Sequence, residues 1–129
     1  MPILIDTDVA IHLRDGSPPI MERIAVLDEI PAMSIVTLVE LEAGAANDAR
    51  RAALLERLCQ TIPVLAFDRS EARAYGAIVA RLGYDRRRVL DRMIAAQAIV
   101  AGRRLITING RDFSAIDGLQ LEVWAAPGD

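Results

Sequence analysis

ILIDTDVAIHL (residues 3–13) runs from an apolar triplet straight into two aspartates, Asp6 and Asp8. Apolar residues on both faces of so short a stretch suit a strand buried within a sheet, here Pro2 to Ile5. A carboxylate at the point where such a strand ends either caps the next helix or belongs to a site beyond the sheet edge.

The remaining elements supply the sheet for that strand. A brief helical turn follows Asp8. A helix is expected from Pro18 to Ile30, with Pro18 and Pro19 near its start. Ala32 to Val36 reads as the second strand and Thr37 to Ala46 as a helix. Asn47 is placed to cap a further helix reaching about Gln60. Ile62 to Ala66 reads as the third strand, and Asp68 or Ser70 caps a helix ending near Gly83. Val89 to Arg103 is apolar on nearly every side and so reads as a buried helix. Arg104 to Ile108 and Leu119 to Trp124 complete five strands. Strands alternating with helices predict an α/β domain: a mostly parallel five-stranded sheet covered by helices on both faces.

Composition narrows the chemistry. A chain of 129 residues fits a single domain. The longest apolar run, Met93 to Gly102, is about half of what a membrane span needs and contains Gln97. No basic stretch precedes the first apolar residues, so no signal peptide is expected, and the expected location is the cytoplasm. The one cysteine, Cys59, has no internal partner and reads as a buried or half-buried thiol in a reducing compartment. The net charge of −3 disfavours general coating of nucleic acid. All fifteen basic residues are arginines. P-loop and Schiff-base chemistries, which need lysine, are thereby excluded. With His12 the sole histidine, histidine-rich zinc sites and Ser-His-Asp triads are disfavoured.

In parallel α/β sheets, ligands bind beyond the carboxyl ends of the strands. Asp6 follows strand one directly. Glu40 is expected in the first turn after strand two. Asp112 follows strand four, and Asp91 opens the buried helix. Each also has a local explanation. Asp6 or Asp8 fits a cap for the turn at Val9, and Thr37 with Glu40 fits a capping box. Asp91 suits a helix dipole, and Asp112 an Asx-turn after Gly110. Asp91 is the least easily explained, because Val89, Leu90, Met93 and Ile94 surround it in sequence. Two carboxylates 4 Å apart repel by about 4 kcal/mol at an effective dielectric near 20. A cluster of four therefore calls for protonation or a cation, and hard oxygen ligands suit Mg²⁺ or Mn²⁺. Glu42 falls on the opposite helix face from Glu40.

Four segments, LIDTDV (4–9), SIVTLVELEAG (34–44), DRMIAAQAI (91–99) and LITINGRDF (105–113), together resemble the PIN-domain ribonucleases, specifically the VapC-type toxins of bacterial toxin–antitoxin pairs. The resemblance spans nearly the whole chain. It implies a PIN-like three-layer sandwich and Mg²⁺- or Mn²⁺-dependent hydrolysis of a phosphodiester in RNA. It implies an acidic site of Asp6, Glu40, Asp91 and Asp112. Asp6 and Asp91 are then expected as direct metal ligands, Glu40 as a ligand or a group that orients the water, and Asp112 as a partial or water-mediated ligand. Thr107 and Asn109 match the polar positions between strand four and Asp112, and Asp8 is a cap, a supporting group or a further ligand. Arg86, Arg87, Arg88, Arg92 and Arg111 are candidate phosphate contacts at the mouth. GYDRRRVL (83–90) departs from the small, polar lead-in expected before Asp91. The resemblance also implies a VapB-type antitoxin partner, within a homodimer or a toxin–antitoxin hetero-oligomer. The Ile20, Ile24 and Leu27 stripe, with Met21 beside it, offers core or interface. Two rival readings remain: DTDV (6–9) also suits a haloacid-dehalogenase-like phosphatase with Asp6 as nucleophile and Asp8 as acid/base, and the fold suits a non-catalytic PIN-like binding module.

Overall fold

A computed structural model describes residues 1–128. Its five strands are β1 (Ile3–Ile5), β2 (Ala32–Ser34), β3 (Val64–Leu65), β4 (Arg104–Thr107) and β5 (Leu121–Val123). They lie in the order β3-β2-β1-β4-β5, and every pairing is parallel. The helices are α1 (Thr7–Arg14), α2 (Pro18–Ala25), α3 (Ile35–Ala45), α4 (Ala49–Thr61), α5 (Arg69–Leu82) and α6 (Val89–Ala101). Short 3₁₀ turns occupy Arg86–Arg88 and Gly110–Asp112. No helix among the described residues is long and apolar enough to cross a membrane.

The apolar triplet is the centre of the sheet. Side chains alternate across a strand, so Ile3 and Ile5 enter one core layer and Leu4 the other. The first layer packs Ile3 and Ile5 with Val9, Ile20, Leu41, Leu55 and Leu58. The second packs Leu4 with Ile78, Ile94, Ala95, Leu105 and Phe113. Helix α6 is buried from Ile94 to Ala98 and ends at Gly102, whose left-handed backbone (φ 63) turns the chain into β4.

Four local expectations change. Helix α2 stops at Ala25 rather than Ile30: Leu27 folds back, its N–H bonding the Ile24 carbonyl, and packs on the core. Pro31 also bars its preceding residue from helical geometry. Helix α3 starts at Ile35 because Ser34 Oγ accepts the Val36 N–H, so Thr37 and Glu40 form no capping box. Asp48, not Asn47, caps α4 by accepting the Arg51 N–H, while Asn47 takes the left-handed turn before it (φ 63). Cys59 is exposed, on the outer face of α4, next to the inward-facing Leu58.

Gln97, 3% exposed, joins the layers at the sheet's carboxyl edge. Its Oε1 accepts from Ser34 Oγ at 2.9 Å and its Nε2 donates to the Ala66 carbonyl at 2.9 Å. Gln97→Leu would strand buried polar groups, so chemical denaturation should show a loss of about 2 kcal/mol. Val100→Ala on the exposed face of the same helix should cost less than about 0.5 kcal/mol.

Candidate active site

The predicted acids, with Thr107 and Asn109, come to the carboxyl edge of the sheet from β1, α1, α3, α6, β4 and the turn after it. Asp6 ends β1 and caps α1. It is 4% exposed, with Oδ1 accepting the Val9 N–H at 3.0 Å and Oδ2 accepting the Thr107 hydroxyl at 2.5 Å. The capping and site roles of Asp6 are therefore compatible. Asp8 is not the cap. It lies in the first turn of α1 and accepts a hydrogen bond from Asn109 Nδ2. Thr107 Oγ1 in turn accepts the Asn109 N–H at 2.9 Å. One hydrogen-bonded chain thus runs from Asp6 through Thr107 and Asn109 to Asp8, joining the ends of β1 and β4.

Glu40 sits in the second turn of α3, later than expected, because that helix begins before Thr37. Its Oε1 accepts the Thr7 hydroxyl at 2.7 Å, and Thr7 Oγ1 lies 3.0 Å from Thr37 Oγ1. Since Thr7 donates to Glu40, it accepts from Thr37. Sequence reasoning missed Thr7. Its only signal was a hydroxyl between the two aspartates, and its partners lie thirty or more residues away.

Asp91 lies in the first turn of α6, and Asp112 in the 3₁₀ turn after β4. Arg88 Nη1 donates to Asp112 Oδ1 at 3.0 Å, so no Asx-turn engages that side chain. Asp91 alone of the five acids makes no hydrogen bond or ion pair among the described residues. Burial pushes its carboxyl up to about 6, with Asp112, Glu40 and Asp8 adding to the rise and Arg88 opposing it. Burial likewise lifts Asp6 to about 6. The Thr107 and Val9 hydrogen bonds act against that rise, and Asp8 and Asp91 reinforce it.

The acids therefore share one electrostatic field, although among the described residues no three of them are drawn together as a ready metal-ligating group. Asp6, Asp8, Glu40 and Asp112 are each held by a hydrogen-bond partner of their own. The donor set suits a hard divalent cation: carboxylates only, with Asp91 half-buried and unpartnered.

The arginines divide. Arg86, Arg87 and Arg111 are exposed at this edge, and Arg88 is engaged by Asp112 and Asp85. Arg92, expected among the phosphate contacts, is instead buried (7% exposed) and donates to the Gly83 carbonyl at 2.6 Å. It sits at positions i, i+3 and i+4 with Ala95 and Ala96, on the core face of α6.

The PIN domain family model matches residues 3–119, and the chain belongs to that family. Its relatives include the tRNA(fMet)-specific endonuclease VapC of Shigella flexneri, 33% identical, covering 95% of this chain and 97% of the relative. The enzyme of that name from Salmonella typhimurium is 32% identical, covering 94% and 96%. Among solved structures, the DNA-bound VapBC of Salmonella typhimurium superposes with a TM-score of 0.83 at 30% identity, over 97% of this chain and 99% of that one. VapBC2 of Rickettsia felis, bound to a promoter DNA fragment, shares the fold with a TM-score of 0.85 at 21% identity, over 96% and 99%.

The two raised carboxyls make stability depend on pH. With pKa values about 6 folded and 3.8 unfolded, Asp6 and Asp91 bind protons in the folded state that the unfolded chain releases. Their contribution therefore favours folding increasingly as pH falls from about 7 towards about 4. Metal-free protein should melt higher near pH 5 than near pH 7. Asp91→Asn should raise the melting temperature near neutral pH and flatten its pH dependence, as followed by circular dichroism. A clear loss of stability in that variant would make Asp91 structural.

Proposed function

We propose that this chain is a metal-dependent endoribonuclease and the toxin of a VapBC-type pair, acting in the cytoplasm. The observation that carries the reading is the unpartnered Asp91 within a field of four other carboxylates at the carboxyl edge of the sheet. Asp6 and Asp91 would hold Mg²⁺ or Mn²⁺ directly, with Glu40 as a further ligand or water-orienting group and Asp112 acting through water. When bound, the ion supplies a more acidic water and neutralises charge developing on the phosphate. Thr7 aims Glu40 by donating to its Oε1, leaving the second carboxylate oxygen free of protein partners among the described residues. Thr107 and Asn109 hold Asp6 and Asp8 in place. RNA is the proposed substrate, and the names of the relatives make a tRNA the first target to assay.

The phosphatase reading loses support at its acid/base, because Asp8 is tied to Asn109. A VapB-type antitoxin is the proposed partner, in a toxin–antitoxin hetero-oligomer. In α2, Ile20 belongs to the core, whereas Met21 is 48% exposed beside a groove of about 460 Å³ that Ile24, Leu54 and Leu58 also line.

Purified protein should cleave RNA with Mg²⁺ or Mn²⁺, lose that activity in EDTA and regain it when the ion is restored. Asp91→Asn and Glu40→Gln should each lower the rate by about 100-fold or more, the scale of a lost electrostatic contribution to the transition state. Full activity in Asp91→Asn, or hydrolysis of small phosphomonoesters with RNA left intact, would overturn the reading.

A further inference from the structure

The segment between α5 and α6 is fixed, exposed and basic. Gly83 has a left-handed backbone (φ 85), and its carbonyl is gripped by the buried Arg92. Asp85 Oδ1 accepts the Arg87 N–H at 3.0 Å, and the Asp85 carbonyl accepts the Arg88 N–H at 3.0 Å. Arg88 then ties the end of the segment to Asp112. Between these anchors stands Tyr84, 68% exposed. The chain has two Phe, two Tyr and one Trp, and the other four are all buried or half-buried. Beside Tyr84 are Arg86, which is exposed, and Arg87, whose side chain is 87% exposed with its Nε 3.6 Å from Asp85 Oδ1, a surface pair of little strength that a phosphate can displace. An aromatic ring held in water by a braced loop gains little from packing there, and its face stays available to a partner.

The neighbouring centre sharpens the point. Its carboxylates repel a polyanion, so binding energy must come from groups around them. Guanidinium groups contact phosphates, and an exposed ring stacks on an unpaired base. We propose that Tyr84 is a base-stacking platform flanked by Arg86 and Arg87 as phosphate contacts, making this loop the determinant that selects single-stranded RNA at the acidic centre. A base inside a duplex offers no free face, so the loop discriminates against paired RNA. The inference rests on the ribonuclease reading but concerns recognition, and the two are separable by experiment.

The test measures binding and cleavage separately. Binding of a labelled single-stranded RNA oligomer, and of the duplex of the same sequence, is followed by fluorescence anisotropy in EDTA. Cleavage of the single strand is followed with Mn²⁺. Tyr84→Ala should weaken single-strand binding by roughly 5- to 100-fold, the range found for one base–aromatic stack, and leave duplex binding and the melting temperature unchanged. Tyr84→Phe, which keeps the ring, should bind like the parent. Arg86→Ala and Arg87→Ala should each lower the salt dependence of single-strand binding by about 0.7 in log–log slope. If the parent cleaves RNA and Tyr84→Ala binds it equally well, the platform is overturned and the nuclease stands. If the parent cleaves no RNA while Tyr84→Ala still loses single-strand affinity, the nuclease reading fails and the platform stands. Equal loss on single strand and duplex overturns the proposal. So does a Tyr84→Ala protein that handles RNA normally but no longer forms its antitoxin complex, which would make the loop a protein contact.

Discussion

The fold and the site depend on one buried carboxylate. Asp6 closes β1, and its N–H reaches the Ile106 carbonyl of β4 at 3.1 Å. Its own carbonyl accepts the Ala10 N–H at 3.0 Å as α1 begins, and its side chain accepts from Val9 and Thr107. Transferring an ionised carboxylate out of water costs several kcal/mol unless hydrogen bonds replace the lost hydration. Here those bonds come from the structure that Asp6 itself joins together. Thr107 therefore leads to Asn109 and Asp8, and the helix started by Asp6 carries Thr7 towards Glu40.

Asp91 has the opposite arrangement. Burial raises its carboxyl, repulsion from Asp112, Glu40 and Asp8 adds to the rise, Arg88 opposes it, and no donor bonds the carboxylate among the described residues. A fold selected for stability alone would pair it or replace it with an apolar side chain, as α6 does from Ile94 to Ala96. Four acids are held in place and one is left unsatisfied; in the proposed nuclease the first set positions the field and Asp91 leaves it open to a cation.

Much of this was legible in the sequence because it depends on local pattern. The ILI triplet at 3–5, the apolar run of α6 and the acids just beyond β1 and β4 are readable from periodicity and position. Contacts across the fold were not. Thr7 reaches Glu40 over 33 residues. Ser34 took the capping role expected of Thr37, because β2 ends two residues earlier than its apolar content suggests. Arg92 looked like one more member of a basic run, yet its phase with Ala95 and Ala96 already placed it on the inward face of α6. Residue type pointed outwards, helical phase pointed inwards, and a carbonyl on the inside settled the contest by satisfying the guanidinium.

The arginine run shows how closely structure and recognition are linked here. Within residues 86–92, one guanidinium is buried to brace the loop, one is paired to an acid of the site, and two are exposed, that of Arg87 lying 3.6 Å from Asp85. In the proposed recognition, Arg92 and Arg88 are what make the exposed pair useful. A charge on a floppy loop would lose conformational entropy on meeting a phosphate. Arg92 and Arg88 fix the loop backbone during folding, so less of that ordering cost remains for Arg86, Arg87 and Tyr84. The same brace ties the loop to Asp112 on one side and to the helix bearing Asp91 on the other. The proposed recognition loop is thus joined to the acidic field by an ion pair and to α6 by a single carbonyl hydrogen bond.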